Sequence, residues 1–167
     1  MYQKYIGKFE VAKNLKVDKV SDRKILRIDH VSLAVRDPKK AVEFFTKILG
    51  ATSQSHGSER GALNYFWKIF ALGDLSRFEI INKTVENGSF LDKFLKDKEG
   101  GIHHITLQTP DIEMTKKSLD DNGIPYFGYR EMGNHWREIF IHPKHAFGVL
   151  FQIAEMVPDD WIIVHKN

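Results

Sequence analysis

The stretch Gly100-Gly101-Ile102-His103-His104-Ile105-Thr106-Leu107-Gln108-Thr109-Pro110-Asp111-Ile112 repeats the plan of an earlier one, Arg27-Ile28-Asp29-His30-Val31-Ser32-Leu33-Ala34-Val35-Arg36-Asp37-Pro38. Each reads as a strand with a histidine near its start, followed by an Asp-containing turn that opens a helix-period segment. An internal repeat constrains a chain strongly, because copies of one supersecondary unit bury their apolar faces against each other. The two histidines occupy matching places and are the candidate residues at which the halves meet.

In residues 28–35, alternate side chains point to opposite faces, as a strand requires. His30, Ser32 and Ala34 share one face; Val31, Leu33 and Val35 share the other, which is expected to lie under a helix. That helix is predicted to begin with Asp37 as N-cap and Pro38 at the first position, where the missing N–H costs nothing. Ala41, Phe44, Phe45, Ile48 and Leu49 form its apolar stripe and Gly50 ends it. Beyond Gly50 two strands are legible, an aromatic and β-branched run at 64–72 and a shorter one at 77–81, divided by the turn signal Gly73-Asp74. In the shorter one Phe78 and Ile80 face one way, and Arg77, Glu79 and Ile81 the other. An ionised carboxylate is rarely buried without a partner, so Glu79 calls for a cation.

After a linker helix predicted at 90–96 the pattern restarts. His104, Thr106 and Gln108 share a strand face, while His103 falls opposite with Ile105 and Leu107 and reads as structural. The next helix starts at Asp111, carries Ile112, Thr115 and Leu119 at helical spacing, and stops at Asn122-Gly123. Strands are predicted at 126–131, 135–142 and 148–155. In the last, Gln152 sits between Phe151 and Ile153 as Glu79 sits between Phe78 and Ile80. His30 and Glu79 are 49 positions apart and His104 and Gln152 are 48 apart, so the halves are nearly in register.

Composition bounds the remaining possibilities. The 167 residues, 42% hydrophobic, suit one domain or two halves sharing a core. Cysteine is absent, which excludes disulfides and thiolate metal sites and makes a reducing cytoplasm the expected compartment. There is no apolar run long enough for a membrane span, and the basic N-terminus lacks the apolar core of a signal peptide. The net charge of +3 is spread, with lysines and acids interleaved over residues 93–99, which argues against nucleic acid and suits an anionic small molecule such as a carboxylate or coenzyme A thioester. Residues 1–26 fit no clean period and read as an N-terminal extension packed on the domain or on a second subunit of a homodimer. The repeat units are expected at 27–83 and 101–155, the linker at 84–100 and a C-terminal tail at 156–167.

The two matched halves resemble the vicinal oxygen chelate superfamily, over about residues 27–155. The resemblance implies an α+β fold, two paired βαβββ units forming a curved, mostly antiparallel sheet around a metal site. Its ligands come from the first and last strand of each unit, which map onto His30, Glu79, His104 and Gln152. Imidazole with carboxylate or amide oxygen suits a divalent metal ion such as Co²⁺, Ni²⁺, Zn²⁺, Mn²⁺ or Fe²⁺. One carboxylate and three neutral ligands leave a dication site with a formal surplus of positive charge, which favours an anionic intermediate.

Within the superfamily, Gly101-Ile102-His103-His104-Ile105 and Ile141-His142-Pro143-Lys144-His145-Ala146-Phe147-Gly148-Val149-Leu150 look like the segments of methylmalonyl-CoA epimerases. The implied chemistry is α-proton transfer next to a carbonyl, on an acyl-CoA; a glyoxalase I-like lyase, an Fe²⁺ extradiol dioxygenase and a non-catalytic small-molecule binder are the alternatives. The sequence departs from the epimerase pattern where the last-strand ligand of the second unit, commonly glutamate, is Gln152, which cannot accept a proton at neutral pH. The carboxylate is in the first half instead, at Glu79. Glu59, in the polar segment Ser55-His56-Gly57-Ser58-Glu59-Arg60-Gly61, falls where epimerases have a second candidate base, so Glu59 and Glu79 are the candidate catalytic residues. His142 and Lys144 read as turn and surface residues, and His56 as a further candidate acid or base.

Overall fold

Among the described residues, eight strands form a single sheet in which each half of the chain supplies four adjacent strands. The computed structural model describes residues 24–73 and 76–156. The expectations for residues 1–23, for Asp74 and for the tail at 157–167 lie outside the described residues. The first half runs β1 (Arg27–Val35), α1 (Pro38–Glu43), β2 (Thr52–Glu59), β3 (Tyr65–Leu72) and β4 (Ser76–Lys83). A short linker helix, α2 (Leu91–Leu95), leads to β5 (Gly100–Thr109), α3 (Ile112–Asp121), β6 (Phe127–Met132), β7 (Trp136–Ile141) and β8 (Phe151–Met156). The strand order is β2-β3-β4-β1-β5-β8-β7-β6, with β1 and β4 parallel, β5 and β8 parallel, and the other neighbours antiparallel.

The helices start as their sequences require. Asp37 adopts an extended conformation and its side chain accepts from the Lys40 N–H; Asp111 does the same for Glu113 and Met114. Such caps satisfy N–H groups that have no partner within the helix. Each helix covers the convex face of its own half. Phe45, Ala51, Phe70 and Ile80 form one core with Leu33 and Val35 against it, and Ile112, Ile139, Ile141, Ala146 and Ile153 form its counterpart.

Two expectations are corrected here. Of the apolar stripe assigned to the first helix, Phe45 is buried but Phe44, Ile48 and Leu49 are exposed, Ile48 by 71%. The reason is a widened π turn over Phe44–Ile48, which adds a residue to the turn and rotates the following side chains off the core. The polar segment around Glu59, outside both strands predicted beyond Gly50, is the end of a further strand, β2, an edge strand whose Ser-rich sequence gives no apolar alternation.

Pairing between the halves contains two irregularities. On β1 the register passes from Ile28 opposite Leu107 to His30 opposite Thr106, leaving Asp29 as an extra residue; on β5 it passes from His104 opposite Ser32 to Ile102 opposite Leu33, leaving His103 extra. A bulge of this kind turns consecutive side chains toward one face. Asp29 and His30 are accordingly both buried.

Candidate metal centre

His30 from β1, Glu79 from β4 and His104 from β5 meet on the concave face, all buried, with one donor atom from each lying within 4.8 Å of the others. Glu79 Oε2 is 3.7 Å from His30 Nε2 and 3.6 Å from His104 Nε2. Two imidazole nitrogens and a carboxylate oxygen converging in a buried space match the chemistry of a borderline divalent cation. Gln152 on β8 joins through Thr106. The Thr106 hydroxyl donates to Gln152 Oε1 over 2.5 Å, and its oxygen is 2.9 Å from His30 Nε2. The structure thus brings to one place the four residues mapped from the resemblance.

Each histidine is oriented by the residue before it. His30 Nδ1 donates to Asp29 Oδ2 at 2.7 Å, leaving Nε2 toward the centre. His104 Nδ1 lies 2.9 Å from His103 Nδ1. Fixing one ring nitrogen in this way sets which tautomer a ligating histidine presents. The two bulges therefore supply partners at equivalent positions, one anionic and one neutral. Asp29 is itself held by Arg77 and by Arg27.

The different partners divide the electrostatics. For His30, burial by itself pushes the pKa down, but hydrogen bonds to Asp29 and Glu79 and their charges prevail and raise it to about 9. For His104, burial dominates over the charge of Glu79 and pushes it down to about 3. Glu79 is held below the usual carboxylate range because His30 and His104 outweigh the opposing effect of burial.

Above this cluster is a cavity of about 490 Å³ lined by Glu59, Tyr65, Trp67, Arg130 and Trp136 among others. Glu59 is on edge strand β2 and Arg130 on the opposite edge strand β6, yet Glu59 Oε2 and Arg130 Nη1 are 4.0 Å apart. The sheet is curved enough to bring its two edges together over the centre. A second, apolar cavity of about 320 Å³ adjoins it, and Tyr65, Glu79, Arg130 and Gln152 line both. A larger hollow of about 550 Å³ beside Arg36, Lys83 and Asp92 holds no comparable cluster.

His56 lies against Phe66 on β3 and does not line the cavity, so it is not positioned as an acid or base there. His103, read as structural from its strand face, touches His104 as well as packing between Phe90 and Phe94. His142 accepts from the Lys144 N–H and caps a 3₁₀ turn, as expected for a turn residue. Two residues were missed in the sequence. Asp29 is flagged only by being an acid in an apolar strand. Glu138 is a buried acid between Trp136 and Phe140 on one strand face, the same signal that singled out Glu79. No helix among the described residues is long and apolar enough to cross a membrane.

Residues 29–140 match the model of the Glyoxalase/Bleomycin resistance protein/Dioxygenase superfamily. The mitochondrial methylmalonyl-CoA epimerase of Homo sapiens is 28% identical over 137 residues, which cover 77% of this chain and 73% of the human protein. The ethylmalonyl-CoA/methylmalonyl-CoA epimerase of Cereibacter sphaeroides is 27% identical over 133 residues, covering 78% of this chain and 98% of that protein. Among solved structures, the methylmalonyl-CoA epimerase of Mycobacterium tuberculosis superposes with a TM-score of 0.71 at 26% identity, over 80% of this chain and 90% of its own.

Proposed function

The chain belongs to the Glyoxalase/Bleomycin resistance protein/Dioxygenase superfamily, and from that membership we propose that it is a divalent-metal-dependent epimerase of a methylmalonyl-CoA-like acyl-CoA. The observation that carries the reading is the buried His30, Glu79 and His104 cluster on the floor of a cup whose wall holds Glu59. His30 Nε2, His104 Nε2, a Glu79 oxygen and Gln152 Oε1 would hold the ion, drawn from the Co²⁺, Ni²⁺, Zn²⁺, Mn²⁺ and Fe²⁺ group that suits these donors. Bound there, it would act as a Lewis acid toward the charge that develops on the thioester oxygen as the α-proton leaves.

The chain's own part is to move that proton. Glu59, at the cup wall, takes it from one face of the α-carbon, and the carboxylic acid so formed is its store until exchange or return. Glu79 lies below with one oxygen toward the histidines; a proton taken from solvent onto its other oxygen is the one delivered to the opposite face, and Glu59 then releases its proton to solvent, so that both carboxylates return to their starting state. Delivery from the opposite face inverts the centre; return from the same face does not. Arg130 Nη1, 4.0 Å from Glu59 Oε2, stands beside the proposed base at the cup wall.

A homodimer belongs to the same reading, supported by the apolar side chains of Phe44, Ile48 and Leu49 left at the surface. Light scattering on wild type and Ile48→Glu checks it: a dimer that becomes monomeric is the expected result. The activity is tested in deuterium oxide. Deuterium is expected to wash into the α-position of methylmalonyl-CoA, with no oxygen uptake on catechols and little turnover of methylglyoxal with glutathione. Oxygen uptake with a catechol overturns the epimerase reading in favour of ring cleavage, and no turnover at all with a ligand-induced thermal shift marks a binding protein.

A further inference from the structure

Glu138 is a fully buried carboxylate with every acceptor position in use. Its Oε1 accepts from Arg130 Nε at 2.7 Å and Nη2 at 2.5 Å; its Oε2 accepts from Trp136 Nε1 and from Gln152 Nε2, each at 2.7 Å. All four contacts come from N–H donors, two of them on a guanidinium, so the carboxylate serves here only as an acceptor and the end of Gln152 that faces it is the NH₂ group. The oxygen is then forced to the other side, toward Thr106, whose hydroxyl oxygen sits 2.9 Å from His30 Nε2.

The two halves differ at this position in a matched way. Gln152 on β8 is paired with Phe140 on β7, and Glu138 is two residues before Phe140; Glu79 on β4 is paired with Ile69 on β3, and two residues before Ile69 is Trp67. The half whose last-strand residue is an amide has a carboxylate at that place. The half whose last-strand residue is a carboxylate has an indole there. An amide with two chemically different ends needs a neighbour that decides which end faces inward; a carboxylate with two equivalent oxygens does not.

We propose that Glu138 is a positioning residue that locks the Gln152 carboxamide with its oxygen toward the His30, Glu79 and His104 cluster, making an amide serviceable as a ligand on this strand. The inference rests on the metal site proposed above. It also implies that the carboxylate expected at residue 152 is disfavoured here, because Gln152→Glu would set two carboxylates at hydrogen-bonding distance.

Co²⁺ binding to the metal-free full-length chain tests it, read by titration calorimetry and by the visible absorption of the bound ion. Glu138→Leu is expected to weaken Co²⁺ about 10- to 100-fold, the range for losing a residue that orients a ligand, and to change the absorption band. Glu138→Gln sets an NH₂ group against a donor at one end but can still offer one oxygen to the amide, and is expected to weaken Co²⁺ less than Glu138→Leu does. Ile139→Val, which trims the opposite face of the same strand, is expected to leave both readouts unchanged. In a double-variant cycle, Gln152→Glu is expected to improve affinity more in the Glu138→Gln background, where the donor and acceptor have exchanged places, than alone. If Glu138→Leu does not fold, the cycle between the two isosteric variants still decides. Wild-type affinity and spectrum in Glu138→Leu, or equal effects of Gln152→Glu in both backgrounds, overturn the positioning role while the metal site stands. Failure of the wild-type chain to take up Co²⁺ overturns the metal site and the positioning role with it.

Discussion

His30 and His104 face the same centre with opposite protonation habits. At His104 burial prevails over the charge of Glu79, whereas at His30 burial is outweighed by the hydrogen bonds and charges of Asp29 and Glu79, leaving one ring charged and the other neutral near pH 7. The sign of the pH dependence follows. The contribution of His30 is fully present below its ordinary value of 6.5 and fades as pH rises toward about 9. His104, neutral in the fold down to about 3, lowers stability as pH falls below 6.5, because the unfolded chain binds that proton and the folded chain does not. Melting curves of the chelated, metal-free chain across this range are expected to peak near pH 6.5 and fall on both sides. Ligand and base separate by variant. His30→Ala or His104→Ala is expected to weaken metal binding by at least tenfold, as removing a donor costs more than disturbing its support. Glu59→Gln is expected to keep the metal and lose about 10²- to 10⁴-fold in α-proton exchange, the contribution of a positioned base. Metal analysis and deuterium exchange on the same preparations check both.

Among the elements, α1 shows how a local change of helix geometry redistributes burial. Its apolar residues satisfy a helical stripe on paper, but the widened turn sends Phe45 into the core against Phe70 and Phe78 and leaves Ile48 outside. Phe45→Ala is therefore expected to cost about 3–5 kcal/mol, as for other truncated core aromatics. Ile48→Ala is expected to stay within about 0.5 kcal/mol in the monomer. Urea denaturation of the two variants, at a concentration low enough to prevent association, checks the contrast. Equal losses would mean that both side chains are core. The edge strand β2 carries a related lesson. Its polar sequence hides it from any periodicity argument, yet it delivers Glu59 to the cup because β3 pairs with it over its whole length.

For the whole molecule, the decisive contact is the antiparallel pairing of β1 with β5, which joins the halves and carries both histidines. At its end Gly100 approaches β1 so closely that an added Cβ would stand 2.8 Å from the Ala34 carbonyl oxygen. Gly100→Ala must push the strands apart there. It is expected to destabilise the chain by about 1–3 kcal/mol, the usual range for overpacking, and to weaken metal retention because His30 and His104 lie on the two separated strands. Chemical denaturation and metal titration check the two effects. Unchanged metal binding in a destabilised Gly100→Ala chain would show that the centre tolerates movement at the seam.

The sequence by itself determined the duplication, the helix caps at Asp37 and Asp111, and the faces of β1, β4, β5 and β8, because these depend on periodicity and on interactions within a few residues. The grouping of His30, Glu79, His104 and Gln152 came from the family resemblance laid over those faces. Only the tertiary structure decided what those residues touch. The bulges at Asp29 and His103 exist only in the register between two distant strands, the meeting of Glu59 with Arg130 follows from the curvature of the whole sheet, and the hold of Glu138 on Gln152 crosses from one strand to its neighbour. A strand's own alternation fixes which side its residues face, but not which residue of another strand will be there to meet them.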